Sequence, residues 1–198
     1  NNGFPNASDF DVWSQGATPL SVTFNTAGSY RVKIWIANTC GLDTMSVPVC
    51  VVPPPNPQFN LSPSFGCIPP NLSVTANNTT VVTPSSCYTP TYSYNWSISP
   101  SSNWSFNGAS NASSTSPSFS FSAAGTYTVT LTASISGLSG CSASINHPVT
   151  VNQAPTVNAG LDQSVCVGSP AIQLTGSPTG GTWSGTGVNA SGLFTPTT

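Results

Sequence analysis

Charge is what this sequence has least of. Only 3% of its 198 residues are Asp, Glu, Lys or Arg, against about a quarter in an ordinary soluble domain. Glutamate is absent, and the carboxylates are Asp9, Asp11, Asp43 and Asp162. Two cations, Arg31 and Lys33, make no basic stripe. That excludes nucleic acid as a partner and leaves an anionic membrane surface little to hold. One histidine, His147, cannot complete a zinc site, and the cysteines at 40, 50, 67, 87, 141 and 166 lie too far apart for a C-x-x-C pair. No apolar run approaches the roughly 18 residues of a spanning helix, so no direct membrane insertion by a helix is expected. A sustained 3.6-residue period is missing too, and turn formers recur too often for a long helix.

Ser, Thr and Asn make up well over a third of the chain, so its surface is solvated by hydroxyls and amides. Hydrophobic content of 37%, with 10% aromatics, is too rich for a disordered tail. The cysteines read as disulfide formers, which places the protein in an oxidising compartment, outside the cell or in a periplasm.

An internal repeat organises the sequence. Phe24-Asn-Thr-Ala-Gly28-Ser-Tyr30-Arg-Val32-Lys-Ile34 returns as Phe121-Ser-Ala-Ala-Gly125-Thr-Tyr127-Thr-Val129-Thr-Leu131, an offset of 97 residues. A period near one hundred is the length of one immunoglobulin-like sandwich. Tyr30, Val32, Ile34 and Ile36 alternate with Arg31, Lys33 and Trp35, the period of a strand with one face buried and one wet. Gly28 and Gly125 are read as the turn entering that strand, where a Cβ is unwelcome. Tyr30 and Tyr127 then form the tyrosine corner of a Greek-key sandwich. Further short apolar runs at 71–76, 92–98, 118–121 and 147–151 read as strands, with Trp96 in the core.

Two proline-rich linkers, 52–57 and 152–155, cut the chain into three. Residues 1–52 read as the closing part of one module, 53–152 as a whole module and 153–198 as the opening part of another. The fold class expected is therefore all-β, with tandem sandwiches on proline-rich linkers, and the chain reads as a window on a longer polypeptide.

The pattern Phe-x-x-x-Gly-x-Tyr-x-Val-x-Leu resembles the signature of PKD (polycystic kidney disease) domains, immunoglobulin-like modules of extracellular proteins. After Trp96 the chain has Ser97-Ile98-Ser99 where that family has Asp-Phe-Gly-Asp-Gly. Residues 155–198, with Gly160-Leu-Asp162-Gln, Val165-Cys166-Val-Gly168, Gly180-Gly-Thr-Trp183-Ser-Gly185-Thr-Gly187 and Gly192-Leu-Phe194-Thr-Pro196, resemble repeats of giant Bacteroidetes surface adhesins of gliding motility. The resemblance implies export by a type IX secretion system, display at the outer membrane, and adhesion to surfaces or polysaccharide. In the resembling repeats an opening and a closing cysteine occur together, which implies a Cys67–Cys141 disulfide and partners outside the chain for Cys40 and Cys166. For Cys50 and Cys87 an inter-module bridge stays open. The triplet Asp43-Thr44-Met45 looks like the O-glycosylation motif of that group, making Thr44 a candidate.

Other candidates are weighed on residue chemistry. Ser-His-Asp catalysis would need His147 beside an Asp and an activated Ser, yet no nucleophile-elbow motif occurs, so no enzymatic role is expected. Calcium accepts carbonyl ligands freely, and Asp9 with Asp11 could contribute to a site, a solvated loop being the alternative. No other cofactor is indicated. Trp35, on the wet face of its strand, and Trp104 and Trp183, in Ser- and Gly-rich surroundings, could stack on sugar rings, the alternatives being packing between modules or partial burial. Nine Asn-x-Ser/Thr triplets begin at Asn6, Asn60, Asn71, Asn77, Asn78, Asn95, Asn103, Asn111 and Asn189. The reading is thus a non-catalytic stretch of an adhesin whose partners are its neighbouring modules and a surface glycan. The alternatives are a carbohydrate-binding accessory region of a secreted hydrolase, with the three tryptophans as platform, and a purely structural filament.

Overall fold

The computed structural model describes residues 21–196, with the side chains of Trp35, Ala37 and Asn38 left out of the description. Asp9 and Asp11 therefore lie outside the described residues. Within them every regular element is a strand. In chain order these are β1 (Gly28–Asn38), β2 (Gly41–Val51), β3 (Phe59–Ser62), β4 (Phe65–Ile68), β5 (Leu72–Asn78), β6 (Tyr92–Ser99), β7 (Trp104–Phe106), β8 (Ser118–Phe121), β9 (Gly125–Ile135), β10 (Ser142–Gln153), β11 (Ile172–Gln173) and β12 (Leu193–Phe194). The runs expected at 71–76, 92–98, 118–121 and 147–151 fall on β5, β6, β8 and β10.

Four sheets result: β1-β2, β3-β5-β8-β7, β4-β10-β9-β6 and β11-β12. The pairs β1-β2, β3-β5, β5-β8, β7-β8 and β11-β12 are antiparallel, and β4 runs parallel to the end of β10 from Thr150↔Phe65 to Gln153↔Ile68. By contacts the chain divides into two units. The first ends its leading segment at Gln58 and adds Thr79–Asn95 and Thr132–Ile145; the second holds Phe59–Asn78, Trp96–Leu131 and the part from Asn146 onward.

The second unit contains the packed core. Alternation supplies it, because every other residue of a strand points to one face. From β3, β5 and β8 come Phe59, Val74, Ala76, Phe119 and Phe121; from β6, β9 and β10 come Trp96, Ile98, Tyr127, Val129, Leu131, Val149 and Val151, all buried. The two four-stranded sheets meet through rings. Trp96 lies edge-on to Phe59 at 4.9 Å and to Phe119 at 6.2 Å, and Phe121 contacts Tyr127 at 4.7 Å. The polar end of Trp96 is satisfied, its indole N–H donating to Ser114 O at 2.8 Å. Among the described residues no polar or charged residue is buried, so this core rests on apolar transfer and ring packing. The result is an all-β molecule of several sheets, consistent with an immunoglobulin-like sandwich.

Both expected corners are formed. The Tyr127 hydroxyl donates to Ala123 O at 3.0 Å, and the Tyr30 hydroxyl to Thr26 O at 2.8 Å. Each ring also packs on the phenylalanine that precedes it, Phe121–Tyr127 at 4.7 Å and Phe24–Tyr30 at 4.4 Å. Gly125, with φ +156°, takes a backbone conformation that disfavours a Cβ, while the space around both glycines is open. A Cβ at Gly28 or Gly125 would meet only the tyrosine ring edge, at the ordinary distance of 3.8 Å.

The cysteine pairing implied by the family resemblance is corrected. Cys67 and Cys141 are both unpaired thiols, and the disulfide joins Cys50 to Cys87. Register explains it. Cys67 stands opposite Asn152, whereas Cys141 precedes the first residue of β10. Eleven strand residues at about 3.3 Å each separate those levels, far beyond the roughly 7 Å between Cα atoms that a disulfide spans. The Cα atoms of Cys50 and Cys87 are 5.9 Å apart. Their bridge ties the end of β2 to the segment between β5 and β6, and both cysteines belong to the first unit.

Urea unfolding of Trp96→Ala should show a loss of about 3–5 kcal/mol from the cavity between Phe59 and Phe119. Tyr127→Phe should cost about 1 kcal/mol, the worth of one hydrogen bond. Losses below 1 kcal/mol for Trp96→Ala would show that the sheets do not meet on that ring. Non-reducing peptide mapping should find Cys50 joined to Cys87 with Cys67 alkylatable. Cys87→Ser should lower the stability of the bridged region by about 4 kcal/mol in the chain-entropy account of a loop this long.

Candidate functional site

A groove opens where β3 gives way to β4. Only Pro63 and Ser64 separate the two strands, and in that span the chain passes from one four-stranded sheet to the other. Ser64 is held there because its carbonyl accepts the Thr150 N–H at 3.0 Å. The crossing leaves a concavity of about 370 Å³ lined by Phe59, Asn60, Leu61, Ser64, Phe65, His147, Pro148 and Thr150. That volume lies within the lower range of small-ligand clefts.

The lining is aromatic and neutral. Phe59 belongs to the buried core, and the His147 ring stands edge-on to it at 4.7 Å. Phe65 is 70% exposed, a large apolar face presented to solvent at the rim. Asn60, Ser64 and Thr150 add amide and hydroxyl groups, and no Asp, Glu, Lys or Arg lines the groove. Such a lining can stack on a ring and exchange hydrogen bonds with hydroxyls or peptide groups. It offers no carboxylate to orient His147 as a general base. Among the described residues no three His, Cys, Asp or Glu side chains gather in a metal-binding cluster.

Of the three tryptophans named from sequence, Trp104 and Trp183 have described side chains. Trp104 is half-buried, its ring edge-on to Phe106 and Phe119 at 5.4 and 6.0 Å and its N–H donating to Pro100 O at 3.1 Å. Trp183 is half-buried against glycine. A Cβ on Gly192, whose φ is +87°, would come within 2.6 Å of the Trp183 Nε1, and one on Gly176 within 3.0 Å of its six-membered ring. The glycines are therefore spaces for the indole, not signs of an open surface. The side chain of Trp35 lies outside the described residues.

Thr44 sits exposed on β2, its backbone N–H donating to Asp43 Oδ1 at 2.8 Å. The groove itself was not read from sequence. Its one signal is the Pro63-Ser64 break between two short apolar runs, which marks a strand crossing but not the cavity that the crossing leaves.

No helix among the described residues is long and apolar enough to cross a membrane. Compared with known proteins, the chain matches no family model and no curated protein. Among solved structures it is similar to surface layer protein SbsC, domains 1-6, with 13% identity and a TM-score of 0.28. That likeness covers 66% of this chain and 17% of the other, so the chain spans a small part of the protein it matches.

Proposed function

We propose that the chain is a non-catalytic repeat segment of a long secreted or cell-surface adhesin, an extended stalk that also adds weak contacts to surfaces or polysaccharide. The observation that carries this reading is the recurring corner. Ring pair and hydroxyl bond return together, Phe24–Tyr30 to Thr26 and Phe121–Tyr127 to Ala123. A polypeptide that repeats one building unit gains reach and valency.

The strand order supports the same reading. An immunoglobulin-type sandwich places strands A, B, E and D in one sheet and C, F and G in the other. The order β3-β5-β8-β7 follows the first, and β10-β9-β6 follows the second read from G to C, with β4 added beside β10. A Greek-key module of the PKD type over 53–152, flanked by parts of its neighbours in 1–52 and 153–198, agrees with that order. The resemblance of residues 155–198 to gliding-motility adhesins extends the proposal to export by type IX secretion and O-glycosylation at Thr44.

A second feature favours glycan contact at the groove rather than at the tryptophans. Phe65 presents an exposed ring beside neutral hydrogen-bonding groups, the combination that packs on a sugar face. Phe65→Ala should weaken retention on a neutral polysaccharide about tenfold, while Trp183→Phe leaves it unchanged; equal loss from both would move the contact away from the groove.

Intact mass and peptide mapping of the parent polypeptide, with protease shaving of whole cells, tests the stalk. The expected result is a parent of many related modules cleaved from the cell surface. A catalytic domain adjoining these residues would favour the accessory carbohydrate-binding role instead. A polysaccharide that never retains the chain would favour a purely structural filament.

A further inference from the structure

Asparagine followed by glycine occurs twice in the sequence, at Asn2-Gly3, outside the described residues, and at Asn107-Gly108. The second pair lies at the start of the segment that joins β7 to β8. Asn107 and Gly108 are both exposed, and Gly108 has a φ of +62°, in the left-handed region that favours glycine. A Cβ built on Gly108 would meet nothing within 4 Å, so solvent reaches this peptide freely. Asn107 is held on both sides of its Cα: its N–H donates to Ser118 O at 2.8 Å, and its carbonyl accepts the Ser110 N–H at 3.2 Å. Among the described residues the Gly108 N–H donates to no acceptor. That nitrogen is open to lose its proton and to approach the side chain before it.

Three other asparagines show by contrast what sets this one apart. Asn111, Asn158 and Asn189 are each followed by alanine, whose methyl group crowds the next peptide nitrogen. Their Oδ1 atoms accept backbone N–H bonds from two residues on, from Ser113 at 2.8 Å, Gly160 at 2.8 Å and Ser191 at 3.1 Å. That Asx geometry locks the carboxamide against the rotation that a ring closure needs. The Asn107 carboxamide is tied through its other end. Its Nδ2 donates to Ser73 Oγ on β5 at 3.2 Å.

We propose that Asn107 is a site of spontaneous intramolecular deamidation. The deprotonated Gly108 nitrogen attacks Asn107 Cγ and forms a new N–C bond. The bond from Cγ to Nδ2 breaks, and Nδ2 leaves as ammonia, its extra proton matching the one lost from Gly108. A succinimide ring remains, and water opens it at either carbonyl. Attack at Cγ restores the peptide with aspartate at this position. Attack at the backbone carbonyl leaves the chain routed through Cγ as isoaspartate. No oxidant, metal or enzyme is needed, only solvent water. The aspartate product keeps its neighbour, because the Ser73 hydroxyl that accepted from Nδ2 can turn and donate to the carboxylate. Isoaspartate lengthens the main chain by a methylene and displaces the carbonyl that Ser110 bonds. Either product adds a negative charge to a chain whose formal net charge is −2. The proposal rests on this turn and not on the stalk reading, and its failure leaves that reading in place.

Holding the folded 198-residue chain at mildly alkaline pH and following it by peptide mapping tests the site. Asn107 should convert roughly tenfold faster than Asn111, Asn158 or Asn189 in the same sample, a barrier lower by about 1.4 kcal/mol. Isoaspartate should appear beside aspartate, since both come from the ring. The rate should rise with pH, because the attacking nitrogen must first shed its proton. Asn107→Gln, whose longer side chain closes a ring far more slowly, should abolish conversion at this position while near-ultraviolet circular dichroism stays that of the parent chain. A free peptide of residues 104–110 calibrates the rate without the fold. Conversion in the peptide but not in the folded chain would overturn the proposal, for the turn would then shield the site. So would aspartate without isoaspartate, which indicates direct hydrolysis, or equal rates at all four asparagines.

Discussion

Trp96, set edge-on between Phe59 and Phe119 with its N–H given to Ser114, is the contact through which the two four-stranded sheets meet. In a chain with so few ions, packed rings such as this one and Phe121 on Tyr127 specify that meeting. Salt bridges often fix register and partner choice in proteins rich in charge. Here the Arg31 guanidinium donates to the Ser46 hydroxyl, at 3.1 Å. Shape therefore does the work of charge, since rings admit few packings at native density. Register on the wet faces is fixed by hydroxyl pairs such as Thr75 with Ser118 at 3.0 Å and Thr132 with Ser144 at 2.8 Å.

The corner shows how far local sequence reaches. Phe24–Tyr30 and Phe121–Tyr127 make the same ring contact and the same backbone bond, although one belongs to a buried strand and the other to an exposed hairpin. The motif is thus a local unit whose geometry does not wait for the opposing sheet. Burial, by contrast, is decided by that sheet. Leu131 has Phe119 and Val74 among its fellow core residues, while Ile34 stands in solvent.

This division accounts for what the sequence made legible. Period-two alternation located β5, β6, β8, β9 and β10, and a tryptophan flanked by Asn95 and Ser97 identified the core ring, because both signals are local. Cysteine pairing is not local. Cys67 lies at the level of Asn152, and the parallel placement of β4 that puts it there has no signature in the residues themselves. For Trp183 the sequence left sugar stacking and partial burial both open, and it is half-buried. Gly176 and Gly192 are small so that the indole can lie against them. The groove is a product of crossing at Pro63 and Ser64, and a cavity left between elements has no pattern along a chain.

A neutral surface also limits the kind of recognition available. Without fields to steer an encounter, association proceeds at the unassisted diffusional rate and is little changed by salt. Contacts at an aromatic groove of about 370 Å³ must then be gained by apolar burial and hydroxyl hydrogen bonds alone. Such contacts are individually weak, but repetition raises the effective concentration of the next contact once the first is made. On the proposed stalk reading, repetition and a nearly uncharged surface belong together, because affinity then comes from number and reach, and an oxidising setting lets the Cys50–Cys87 bridge persist.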